Sequence, residues 1–321
     1  MSTTSMRYYP SHLEEFHGLP VHTFGAEGDH TRALPEPGSV AWRLSAEWDL
    51  DFEPLWGRFL EAVDTEEVTA LVVGMWWERR TERGIDFALD LLTAHARRLP
   101  NLRALFLADV ESEQTEISWI KQGEVTRALR AWPLLEELGV RGGEDLVIEP
   151  LRHDRLRTLR IESGGLPQAP VRALAACEFP ALRHLELWLG TPDFGGECTP
   201  EDIPPLLTAL GAHSPELRHL GLKNSDIQDA VAAAVAAAPV VAGLESLDLS
   251  LGTLGDEGGA ALLSGQPLTH LRALNLRHHY LSDALVQRLR ETLEPHGVDL
   301  VLTPVQRRGH YTGARYVAVG E

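Results

Sequence analysis

Glu186 follows His184 by two positions, and His219 lies one repeat period beyond them. On a β-strand, residues two apart share a face, so His184 and Glu186 would point the same way. If His219 sat at the same height on the neighbouring strand, ~4.8 Å away, the three side chains could form a metal or acid–base cluster. A structural polar ladder is the stronger reading of such a trio, and no metal, cofactor or catalytic residue is expected. His278 and His279 are adjacent and so point to opposite faces of a strand, which keeps them from sharing one ion. Cys198 stands beside Glu197 with no histidine partner near it in sequence, and Gly142-Gly143, Gly164-Gly165, Gly195-Gly196 and Gly258-Gly259 lack the lysine and spacing of a phosphate loop. These glycine pairs read as turns.

The elements that must carry these residues are announced by one recurring phrase: an apolar residue, two variable ones, Leu, one variable and another aliphatic. It occurs at Leu102–Leu107, Leu135–Val140, Leu156–Ile161, Leu182–Leu187, Leu217–Leu222, Leu244–Leu249 and Leu271–Leu276, with starts 33, 21, 26, 35, 27 and 27 residues apart. Period and phrase together are those of a leucine-rich repeat, one strand and one helix per unit. Alternation sends the second Leu and the final aliphatic to one face, which a single unit cannot bury and a stack of units can. Helix-period apolar residues lie in Ile85–Leu99, Val125–Trp132, Val171–Cys177, Ile203–Leu210, Ala230–Ala238, Gly259–Leu263 and Ala284–Leu293. Pro100, Pro133, Pro180, Pro215 and Pro239 stop five of them. The fold expected is an α/β leucine-rich-repeat solenoid, a horseshoe with a concave parallel sheet and outer helices.

Weaker copies of the phrase at Val68–Val73 and Val298–Leu302, and a strand at Ser39–Leu44 followed by a helix at Pro54–Val63, extend the array in both directions. The expected organisation is an N-terminal cap over residues 1–38, the solenoid over 39–303 and a C-terminal cap segment over 304–321. Two cysteines in 321 residues build no disulfide framework and suit a reducing cytoplasm. The stretch Met1–Pro10 shows no signal-peptide pattern, and no apolar run reaches membrane-spanning length. A net charge of −18 argues against nonspecific binding to nucleic acid or to anionic membranes.

The string Leu247-Asp-Leu-Ser-Leu-Gly-Thr-Leu-Gly-Asp-Glu-Gly-Gly-Ala-Ala-Leu262 resembles the repeat of ribonuclease-inhibitor-like leucine-rich-repeat proteins, with strand, tight turn and helix start in that order. His12–Val21, Ser112–Ile120 and Ile161–Leu166 resemble segments of a little-characterised family of bacterial leucine-rich-repeat proteins. That resemblance implies a cytoplasmic solenoid with no established reaction, sometimes expected beside radical and ligase-type enzymes. At the position where the usual repeat carries Asn or Cys, only Asn224 fits, so a regular asparagine ladder is not expected.

What the concave sheet would display carries the functional reading. Its N-terminal strands offer Ala70, Val72, Ala104 and Phe106. The later ones offer Glu137 and Arg141; Arg160 and Glu162; His184, Glu186 and Trp188; His219 and Lys223; Asp248; and Asn275 and Arg277. Such a face can be simply a solvated one with charges paired across strands. Two units are longer than their neighbours, through Asp109–Ile120 and Trp188–Thr199, and both insertions fall after a strand, on one rim. Trp119, Trp188, Phe194 and Tyr280 beside arginines on that rim are residue types that dominate binding hot spots. The expectation is a non-catalytic module that binds a protein or peptide through the concave face and the strand-to-helix rim. Its binding residues would be Trp119, Arg141, Arg160, Glu162, His184, Glu186, Trp188, Phe194, His219, Lys223, Asp248, Arg277 and Tyr280. The competing expectations are an enzyme or enzyme subunit with a site near His184, Glu186 and Trp188, and a structural scaffold.

Overall fold

The repeated leucine sets the architecture. In a computed structural model that describes residues 10–25, 33–46, 51–77, 83–307 and 313–321, strand pairing aligns Leu71, Leu105, Leu138, Leu159, Leu185, Leu220, Leu247, Leu274 and Leu300 at one height across the sheet. Trp42 stands at the same height one strand earlier. Met1–Tyr9 and Arg308 lie outside the described residues.

Twelve strands form one open sheet in sequence order. They are β1 (Glu15–Phe16), β2 (Leu19–Thr23), β3 (Ala41–Leu44), β4 (Ala70–Val73), β5 (Ala104–Leu107), β6 (Glu137–Arg141), β7 (Thr158–Glu162), β8 (His184–Gly190), β9 (His219–Ser225), β10 (Ser246–Asp248), β11 (Ala273–Asn275) and β12 (Asp299–Val301). All neighbours pair parallel except β1 and β2, which form an antiparallel hairpin. The helices are α1 (Phe52–Ala62), α2 (Asp86–Ala94), α3 (Arg127–Ala131), α4 (Gln168–Ala175), α5 (Ile203–His213), α6 (Gln228–Ala237), α7 (Asp256–Ser264) and α8 (Asp283–Leu293). The 21-residue interval between β6 and β7 has no room for one and returns as extended chain through Glu144 and Val147.

The main core lies between the leucine side of the sheet and the helices. In α6 the buried residues are mostly small, Val231, Ala232, Val235 and Ala236, and the helix packs closely beside α7. A second, smaller core occupies the opposite face. There Ala70, Val72, Ala104 and Phe106 are covered by Leu13, Phe16, Leu19 and Val21 from the N-terminal hairpin and its lead-in, with Phe16 edge-on to Phe106 at 5.9 Å. The apolar end of the displayed face is therefore covered by the chain itself. Gly139, beside Phe106 in the ladder, makes room for that ring, since a Cβ there would collide with it.

Leu185 and Leu247 are each 1% exposed, so Leu185→Ala or Leu247→Ala leaves a cavity between sheet and helices and should cost about 2–5 kcal/mol. Chemical denaturation measures this; a loss near zero at both positions would put them on the other face.

Candidate functional site

Register brings the trio together. His184 pairs with His219 across β8 and β9, their rings stacked at 4.0 Å and 10°. Glu186 lies beside them, with Oε2 3.8 Å from His184 Nε2. Its other oxygen, Oε1, accepts from Trp188 Nε1 (2.8 Å) and from Lys223 Nζ (3.1 Å). Lys223 also faces Asp248 at 3.4 Å and lies over the Trp188 ring, 5.3 Å from its centre, while Asp248 accepts from Asn275 Nδ2 at 2.9 Å. A carboxylate, an ammonium and a second carboxylate thus alternate along β8, β9 and β10.

This network departs from the solvated alternative for the concave face. Glu186, Lys223 and Asp248 are all buried, and Trp188 belongs to the main core. Burial by itself would raise the Glu186 carboxyl, but His184, Lys223, Arg160 and the Trp188 N–H outweigh it and hold the group well below the usual carboxylate range. Burial and the neighbouring His184 push His219 down to about 4, so it is neutral at pH 7. Ser246 Oγ lies 2.7 Å from His219 Nδ1 and fixes the ring.

A second cluster stands at the C-terminal ends of the middle strands. Arg141 bonds Glu162 (Nε to Oε2, 2.8 Å) and Asp109 (3.4 Å), and its guanidinium lies 5.5 Å from the centre of the Phe106 ring. Asp109 is fully buried and takes Arg43 as well, at 2.5 Å. Burial raises the Asp109 carboxyl, but the His12 bond and the Arg43 and Arg141 charges win and leave it below its ordinary value. These groups grip main chain. Leu13 N donates to both Asp109 oxygens (3.1 and 3.3 Å) and His12 N to Glu111 Oε1 (3.0 Å). Arg43 donates to Leu13 O (2.5 Å) and Arg141 to Ser11 O (3.1 Å). Residues 11–13 thus cross the strand ends as an extended peptide read through its backbone.

The C-terminal segment occupies the rim from the other end. Tyr316 exchanges bonds with Tyr280 Oη (3.0 and 2.8 Å) and accepts from His278, Ala318 N donates to Leu251 O (2.8 Å), and Gly320 packs against Phe194. Asn224, wholly buried at φ +53°, holds Val319 on both sides, donating to its O (2.6 Å) and accepting from its N (3.0 Å). Phe194 and Tyr280, expected among the binding residues of the rim, therefore contact the chain's own tail. Beside the N-terminal segment lies a cleft of about 460 Å³, lined by Pro10–Glu14, Arg141, Glu162, Trp188, Leu251 and Arg277.

The expected residues thus divide. His184, Glu186, Trp188, His219, Lys223 and Asp248 form one contiguous network on three strands, with Arg160 beside Glu186. Arg141, Glu162 and Arg277 line the cleft. Trp119 stands apart, 66% exposed on the first insertion. Sequence reasoning missed Asp109, Arg43 and the tail; a carboxylate directly after an apolar strand, one repeat before Arg141, was the available signal for the first. Burial and the nearby Asp202 and Asp226 push the Cys198 thiol up to about 12, so it is held as the thiol at pH 7.

No family model matches the chain, and no curated protein does. Among solved structures, a protein from Bacteroides fragilis is similar with a TM-score of 0.76 and 26% identity, over 84% of this chain and 76% of that one. An internalin from Listeria monocytogenes gives a TM-score of 0.39 and 16% identity, over 82% of this chain and 61% of the internalin. The second likeness is too low to bear on binding. No helix among the described residues is long and apolar enough to cross a membrane.

Asp109→Ala leaves Arg43 and Arg141 without their shared carboxylate and should cost about 3–5 kcal/mol while opening the chain at residues 11–13 to proteases. Limited proteolysis with mass mapping checks this; an unaltered cleavage pattern would contradict it. The lowered Asp109 carboxyl stabilises the fold above its unfolded value near 3.8 and ceases to do so as pH falls through its folded value. His219 acts in a higher window. Its imidazole is held at about 4 against 6.5 when free, so the unfolded chain takes up that proton first, and stability present above about pH 6.5 declines toward pH 4. His219→Gln should flatten the Tm profile between pH 6.5 and 4; an unchanged slope would assign that decline to other groups.

Proposed function

We propose that this protein is a non-catalytic leucine-rich-repeat module, ribonuclease-inhibitor-like in its repeat, that binds a protein or peptide along the C-terminal edge of its concave sheet and the adjoining rim. Residues 1–38 and 304–321 act as its caps. The observation that carries the reading is the grip on residues 11–13. Asp109, Glu111, Arg43 and Arg141 hold an extended segment by its amide and carbonyl groups, so this edge has the chemistry to bind polypeptide whatever its side chains.

Beside Pro10–Glu14 the same edge opens into the cleft. Trp188 and Leu251 give it apolar lining, and Arg141, Glu162 and Arg277 give it charge of both signs. Trp119 on the first insertion adds an exposed indole, the residue type most enriched in binding hot spots. With −18 overall, a basic partner surface would associate faster at low salt. The reading places the module in the cytoplasm, with neither nucleic acid nor membrane as partner. Trp188 and Lys223 are unsuited to testing it, because both are buried and their removal perturbs the fold.

Trp119→Ala combined with Arg277→Glu should instead weaken crosslinked capture of the partner from the native host by about tenfold or more with an unchanged Tm. Full capture by the well-folded double variant would move the site off this edge.

A further inference from the structure

His184 and His219 each carry a ring nitrogen, Nε2, that is shielded from water and has no hydrogen-bond partner among the described residues. Two orphaned polar atoms so close together are costly unless something satisfies them. Oε2 of Glu186 faces His184 Nε2 at 3.8 Å, close enough to act on it through its charge but too long for a hydrogen bond. One ligating atom from each of His184, Glu186 and His219 lies within 4.8 Å of the others.

We propose that His184, Glu186 and His219 form a binding site for a divalent first-row transition-metal ion such as Zn²⁺. Two imidazole nitrogens and one carboxylate oxygen are the donor set such ions take. The surroundings suit each donor. Ser246 Oγ lies 2.7 Å from His219 Nδ1; with the ring proton on Nδ1 and donated to that hydroxyl, the Nε2 lone pair is left for the ion. Glu186 is fixed through Oε1 by Trp188 and Lys223, and its Oε2 is left for the ion.

Two features shape the binding. The imidazoles lie parallel, and an ion in the plane of both requires the rings to open; rotation about χ2 is soft enough to allow this. Lys223 repels a cation, and Asp248 on its far side offsets part of that charge. Affinity is therefore expected in the micromolar range, below that of a closed structural zinc site. Three protein ligands leave at least one coordination position for water or for a donor from a bound partner. The site stands independently of the peptide-binding reading.

The test is titration of the untagged full chain with Zn²⁺ by calorimetry and with Co²⁺ by visible absorption. One equivalent should bind, with Co²⁺ bands stronger than those of the aqueous ion. His184→Gln and His219→Gln, each confirmed folded by circular dichroism, should weaken binding at least about tenfold, and His270→Gln, at a distant exposed histidine, should not. No saturable binding below about 1 mM would overturn the proposal, as would Zn²⁺ affinity unchanged in both site variants.

Discussion

Register is the constraint on which everything else depends. Nine leucines stand at one height across the sheet, and a slip of one residue in any strand would turn its leucine outward and bury its charges. Because the leucine side is fixed by burial, the side chains between are fixed too. Histidine must meet histidine at β8 and β9, and Glu186, Gly221 and Asp248 must fall in line. Gly221 leaves the space into which Glu186 reaches, and Lys223 bridges from two positions further on. The polar network is thus a consequence of the apolar one.

An open solenoid has to protect both the apolar part of its displayed face and the strand ends. This chain uses its termini for both tasks. The β1–β2 hairpin covers Val72 and Phe106, and the lead-in to it supplies amides to a fully buried Asp109. The C-terminal segment returns from the last unit toward β8, held by Tyr280, Leu251 and Asn224. Beside them lie the cleft by Trp188, which Pro10–Glu14 help to line, and the polar strip running from Arg160 to Asn275. In pairs such as Arg141–Glu162 and Arg43–Asp109 charge is neutralised locally.

The strand positions were legible in the sequence because burial on one face imposes a period of two, and the phrase states it seven times. Helix ends were less so; α4 begins at Gln168, before the apolar run at Val171 makes it visible. The pairing of His184 with His219 followed from the phrase itself, since each histidine stands two residues after the first leucine of its copy. What could not be read was the depth of the face. Alternation tells which side of a sheet a residue occupies, not whether other chain segments or long side chains cover it. The burial of Glu186 and Lys223, and the contact of Phe194 and Tyr280 with the tail, therefore have no signal in the local sequence. The paths of residues 10–14 and 313–321 depend on contacts distant in sequence, from 30 residues for Arg43 with Leu13 to 130 for Arg141 with Ser11, for which no local pattern exists.

The central claim is that the C-terminal edge of the concave sheet binds extended polypeptide through its backbone, with residues 11–13 as the resident example. Amide hydrogen exchange at His12 and Leu13 addresses it most directly. If Glu111 and Asp109 hold those amides as the structure shows, both exchange slowly, on the scale of the neighbouring sheet. Exchange of both at the rate of a free chain would mean that this edge does not hold polypeptide at all.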